Sequence, residues 1–264
     1  MARADWNVEI ESAPALPHIR QITPADLKIA LEKGWDDFAA MPTFAIFLVV
    51  IYPIIGIILF KMTFGYNMLP LAFPLIAGFA LLGPLAAIGL YEMSRRREQG
   101  LDVSFGTLNV LRRPSIGSIF ILGMVLLAIF AVWLSTALHL YNSLFASTAS
   151  PPTFTEFVNQ VLFTPAGWTL ILVGCGVGFV FALATFIISV VSFPMLLDRN
   201  VGAATAVLTS IKAVIANPVT LGLWGLIVAA ALVIGALPGF IGLIVVLPVL
   251  GHATWHLYRR LVAN

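Results

Sequence analysis

The chain has 264 residues, of which 60% are hydrophobic and only 10% charged, with a formal net charge of +2. Soluble domains carry about 25% charged residues, so most of this chain belongs in lipid, and six spans of about 20 residues leave no room for a separate folded enzyme domain. The small net charge offers nothing to nucleic acid, and the single cysteine, Cys175, excludes a disulfide framework or a cysteine metal cluster.

Residues 1–22 read as a flexible cytoplasmic segment. It has several charged side chains and no apolar core of signal-peptide length, so no cleaved leader is expected. Thr23-Pro-Ala-Asp26 then supplies an N-cap, a first-turn proline and an acid. The helix that follows places Leu27, Leu31, Trp35 and Phe38 on one face and Lys33 and Asp37 on the other, as in a helix lying in the inner interface.

Six stretches beyond it contain no Asp, Glu, Lys or Arg: Pro42 to Phe60, Met68 to Tyr91, Pro114 to Leu140, Gly167 to Leu197, Pro218 to Leu237 and Pro238 to Tyr258. Each is long enough to cross a bilayer. The last two abut, and one continuous helix would be about twice the hydrocarbon thickness, so Leu237-Pro-Gly239 is read as a tight turn. With both termini cytoplasmic, only Lys61 among the lysines and arginines falls outside, the positive-inside pattern. Arg95, Arg96, Arg97, Arg112, Arg113, Arg259 and Arg260 are the expected topology anchors at span ends. In the outer loop, Thr153 and Glu156 have capping-box spacing and open a short helix with Phe154, Phe157, Val158, Val161 and Leu162 on its apolar face.

Before the first, third and fifth stretches the chain repeats itself. Lys33 to Pro42, Phe105 to Pro114 and Thr209 to Pro218 align without a gap: Phe38, Val110 and Val214 stand four before the proline, and Gly34, Gly106 and Ser210 eight before it. Pro42, Pro114 and Pro218 are expected to redirect the chain from the membrane surface into the bilayer. The expected fold is therefore an all-α membrane protein with about six transmembrane helices. Residues 23–264 form a single domain of three parallel repeats, about 23–100, 101–200 and 201–264, each an interfacial amphipathic helix plus a helical hairpin.

Chemistry is sparse. His252 and His256 are four apart and share a helix face, the one candidate pair for a haem or metal, and no third ligand accompanies them. No acid or base lies deep in a span, against proton-driven transport. A phosphate loop, a zincin motif and a hydrolase elbow are all missing, so no catalytic residue, metal or cofactor is assigned. Gly174 and Gly178 have the spacing that lets helices approach closely.

The amphipathic repeats, Trp35-Asp-Asp-Phe38 and the stretch from Gly83-Pro84 through Tyr91 to Arg97 resemble a bacterial family of predicted integral membrane proteins of unknown function, over Ile19 to Arg260. Some members carry a cytochrome c oxidase subunit label. With about six spans and four histidines, this chain does not resemble the catalytic oxidase subunit. The resemblance implies the bacterial inner membrane. The expected function is that of a non-enzymatic accessory or assembly component of a membrane complex, with lipids and a membrane protein or a second copy as partners. Binding or transport of a lipid-like ligand, and a haem or metal protein using His252 and His256, are the alternatives.

Overall fold

A computed structural model describes residues 17–50, 54, 57–58, 69–104, 113–146 and 153–263. Among these residues the fold is helical throughout, apart from one antiparallel bridge between Ile19 and Val262. The helices used below are α1 (Pro24–Ala40), α2 (Pro42–Val49), α3 (Ala72–Phe79), α4 (Ile88–Glu98), α5 (Ile116–Phe145), α6 (Phe154–Leu162), α7 (Pro165–Ser189), α8 (Ser192–Asp198), α9 (Ala203–Ala216), α10 (Pro218–Ala236) and α11 (Leu243–Leu261).

Among the described residues four helical stretches are long and apolar enough to cross a membrane: Leu69–Glu98, Ile116–Phe145, Pro165–Asp198 and Pro218–Ala236. The first and last expected spans fall outside that group for different reasons. Of Pro42 to Phe60 only residues 42–50, 54 and 57–58 are described. Helix α11 is helical over 19 residues, but His252, His256, Arg259 and Arg260 dilute the apolarity of its second half. That half is buried by protein instead, and Trp255, Leu257, Tyr258 and Leu261 are within 1% of full burial.

Proline punctuates the stretch Leu69–Glu98. Pro70 falls in a 3-10 turn, and a second such turn, Ala80–Leu82, precedes Pro84; each proline lacks the N–H that a regular helix needs. The interruption is packed rather than loose. The Trp133 indole of α5 donates to the Pro74 carbonyl at 2.9 Å, and Gly78 lets the Trp133 and Phe130 rings come as near as 2.8 and 2.5 Å to where a Cβ would stand. Gly178 of α7 meets the other side of Trp133, 3.0 Å from a would-be Cβ, and Gly174 lies near Leu140. Both glycines therefore face α5 within this chain.

The expected turn between α10 and α11 is present and runs through Gly242. Gly239 and Phe240 both have positive φ, 63° and 68°, the conformation glycine adopts without cost and phenylalanine does not. At the same end, Thr153 Oγ1 accepts from the Glu156 N–H at 3.2 Å and caps α6. Gln160 of that helix accepts from the Tyr141 hydroxyl, while Phe154 stays half exposed.

At the other end lie residues 17–23, α1, α4, α8, α9 and the second half of α11. One core there joins Leu27, Leu122, Leu126, Phe193, Leu221, Trp224 and Trp255. The segment ahead of α1 and the end of α11 are tied by hydrogen bonds from Arg20 N to Leu261 O, 2.8 Å, and from Ala263 N to His18 O, 3.0 Å.

Two of the expected redirecting prolines sit in matching junctions. Met41 before Pro42 has φ −134° and ψ 43°, and Asn217 before Pro218 has φ −133° and ψ 50°. Each N–H closes the preceding helix by bonding back to the residues three and four earlier, and each proline opens the next helix. Pro114 differs: it lies in a turn, and α5 begins two residues later at Ile116. The rest of the middle copy, residues 105–112 with Arg112, lies outside the described residues.

Candidate functional site: a buried polar cluster between α1, α4 and α11

Helix α1 buries only part of the stripe expected from its sequence, Leu27 and Phe38. Its buried side is Leu27, Ala30, Gly34, Asp37 and Phe38, while Trp35 is 53% exposed and Leu31 only half buried. Asp37, expected on the polar face, is 3% exposed. The cause is close packing on α11: a Cβ on Gly34 would stand 2.7 Å from the Ala253 Cβ and backbone nitrogen and 2.8 Å from the Val249 carbonyl. Ala30 and Gly34 form a small-residue stripe that brings the backbones together, and Asp37, one turn further along it, is carried into the contact.

The carboxylate arrives among donors. Asp37 Oδ2 accepts from the Ser94 hydroxyl at 2.6 Å and lies 2.7 Å from His256 Nε2, while Oδ1 is paired with Arg97. Ser94 Oγ is also 2.7 Å from His252 Nδ1. The hydroxyl has one proton and gives it to the charged carboxylate, so this network assigns the proton of that contact to His252 Nδ1, with Ser94 accepting. Burial alone would raise the Asp37 carboxyl, but the hydrogen bonds from His256, Ser94 and Arg97 outweigh it and hold the pKa down at about 2. Ser94 and His252 are fully buried.

Three further ion-pair groups surround this cluster. Glu92, 2% exposed, accepts from Arg95 Nε at 2.9 Å and from Arg113 Nη2 at 2.6 and 2.8 Å. Glu98 accepts from the Trp255 indole at 3.0 Å and from Arg259 at 3.1 Å; Arg259 also reaches Asp198, which accepts from the Tyr258 hydroxyl. Arg260 pairs with Asp26 at 3.0 Å, and Asp26 is also bonded by the Thr23 N–H at 2.9 Å, which with Arg260 keeps its carboxyl below the ordinary range.

Each arginine expected to act as a topology anchor is thus also a bridge, Arg112 aside. Arg95, Arg96 and Arg113 converge on Glu92, Arg97 reaches Asp37, and Arg259 and Arg260 tie α11 to α4, α8 and α1. His252 and His256 do share a face, yet their ring nitrogens are aimed at different partners, Ser94 and Asp37. Among the described residues no group of three His, Cys, Asp or Glu side chains is placed to hold a metal ion. Ser94 and Glu92 were not singled out from the sequence. The small-residue spacing of Ala30 and Gly34, three residues ahead of Asp37, was the available signal for the buried carboxylate.

Chemically the cluster is closed. Ser94, between a carboxylate and an imidazole, is fully buried, and Asp37, Ser94, Arg97, Arg113, His252 and His256 each reach another element, while Arg95 and Arg96 brace Glu92 within α4. Helices of spanning length and composition around an internally paired polar end define an integral membrane protein. Residues 72–198, slightly under half of the chain, match the family described as predicted integral membrane protein (DUF2189). That match is shorter than the resemblance expected from the sequence: it contains Glu92, Ser94 and Arg95 to Arg97 but neither α1 nor α11, so Asp37, His252 and His256 lie outside it. No curated protein and no solved structure matches the chain.

Proposed function

We propose that the chain is a scaffold of the bacterial inner membrane, with six spans and both termini cytoplasmic, that serves as an accessory or assembly component of a membrane complex through helix contacts. The observation that carries this reading is the closed polar end. Asp37 with Ser94, His256 and Arg97, and Glu92 with Arg113, engage one another between elements, which stiffens a framework in which Ser94 and His252 are fully buried.

A threefold repeat is supported by the order of contacts. Helix α1, at the head of the first copy, leans on α11, the last helix of the third. Arg113, at the head of the second, is bonded to Glu92 at the end of the first. Helix α9, at the head of the third, lies on α7 and α8 at the end of the second, where Ser210 Oγ donates to the Ile187 carbonyl at 2.7 Å and accepts from the Val191 N–H at 3.2 Å. This order of described contacts, first to third, second to first and third to second, is the one a ring of three copies would have.

Gentle extraction followed by native mass measurement and cross-linking in membranes tests the scaffold reading. A stoichiometric membrane-protein partner or a second copy is the expected result. A partner-free monomer in both measurements would refute it.

A further inference from the structure

Beside α1 at the polar end is a recess of about 280 Å³. Its charged lining is Arg20, Lys33, His256, Arg259 and Arg260 against one acid, Glu98, with Ile29 and Ala30 as its apolar wall. The charge balance of this lining is uneven. Arg259 is paired with Glu98 and Asp198, Arg260 with Asp26, and His256 with Asp37. Arg20 and Lys33 have no acidic partner among the described residues, so the recess holds two basic side chains free to meet an anion.

The volume is that of about nine waters at their liquid share of about 30 Å³, ample for a phosphate group. Arginine presents a planar fork that matches phosphate oxygens, and lysine a compact charge beside it. Trp35 is half exposed on α1, ahead of the Met41–Pro42 junction, and tryptophan is a side chain that favours the membrane–water boundary. On the topology proposed above, the recess opens at the level of lipid headgroups.

We propose that this recess is a phosphate-binding site, with Arg20 and Lys33 as its principal ligands, for a group belonging to an anionic lipid headgroup or to a small soluble phosphate. The full chain in neutral detergent is the material for the test. Native mass spectrometry is used to titrate phosphatidylglycerol against phosphatidylcholine, and inorganic phosphate is then added as a competitor. Wild-type protein is expected to retain phosphatidylglycerol selectively. Arg20→Gln with Lys33→Gln is expected to weaken that binding by about thirtyfold, the effect of two interfacial charges, while Lys33→Arg preserves it.

Displacement by millimolar inorganic phosphate would assign the site to a soluble phosphate; no displacement, with selectivity intact, assigns it to lipid. Both side chains are exposed, so the double variant should melt with the wild type in the absence of ligand, and Lys33→Gln alone gives a second reading if it does not. Equal binding of phosphatidylglycerol by wild type and by these variants would overturn the proposal. A partner-free monomer would refute the scaffold reading and leave this one standing.

Discussion

The carboxylate of Asp37 lies 2.7 Å from Nε2 of His256, a residue 219 positions further along the chain. This contact joins the first described helix to the last, and Ser94 and Arg97 bring α4 to the same carboxylate. Three elements distant in sequence thus depend on one side chain.

Removing that side chain is expected to be costly. Asp37→Ala leaves Arg97, His256 and Ser94 facing a gap, and breaking a buried pair by deleting one partner costs about 3–5 kcal/mol. Thermal unfolding in detergent should show a large drop in melting temperature, with Asp37→Asn intermediate because the amide still accepts a hydrogen bond. An Asp37→Ala protein as stable as wild type would show that the cluster does not hold these helices together.

Acid should weaken the same contact. The Asp37 carboxyl is depressed in the folded protein, from the ordinary 3.8 to about 2. A depressed folded pKa means stability that is fully present above the ordinary value and lost as pH falls toward about 2. Melting temperature measured from pH 6 downward should therefore decline between about pH 4 and about pH 2. Asp37→Asn should flatten that part of the profile relative to wild type, and parallel curves would count against the assignment.

Glycine substitution separates close packing from helix propensity. In an open position Gly→Ala stabilises a helix by about 0.5–1 kcal/mol, which is the expectation for Gly222→Ala, where a Cβ meets nothing within 4 Å. Gly34→Ala has the same propensity gain but drives a methyl group against the backbone of α11, and overpacking costs about 1–3 kcal/mol. Melting temperatures should move in opposite directions for the two variants. A stabilised Gly34→Ala would mean that α1 does not approach α11 this closely.

Side-chain accessibility along α1 gives both the packing and the orientation. In a Cys175→Ser background, single cysteines at Lys28, Glu32 and Asp36 are expected to react with a membrane-impermeant thiol reagent, and those at Leu27 and Ala30 to be protected. Reaction in inverted inner-membrane vesicles but not in intact cells would place α1 on the cytoplasmic side. The reverse pattern would invert the proposed topology.

Much of the local structure was legible because it depends on residues close in sequence. The start of α1 at Thr23-Pro-Ala-Asp26, the cap of α6 at Thr153, the turn at Pro238-Gly239 and the apolar stretches follow from capping, proline and glycine geometry and hydrophobic length, all properties of a few consecutive residues. The candidate site was legible only in fragments. His252 and His256 stood out by spacing and the arginines by position, while Ser94 and Glu92 gave no local sign of being buried. Periodicity placed Asp37 on the wet side of α1 because it weighs each residue by its own polarity. Tertiary packing reversed that: Ala30 and Gly34 let α11 come close, and His256, Ser94 and Arg97 supply the charge and hydrogen bonds without which a carboxylate cannot leave water. The caps, the turn and the apolar lengths were therefore set by sequence, and which faces meet was decided by donors and acceptors that only the folded chain brings together.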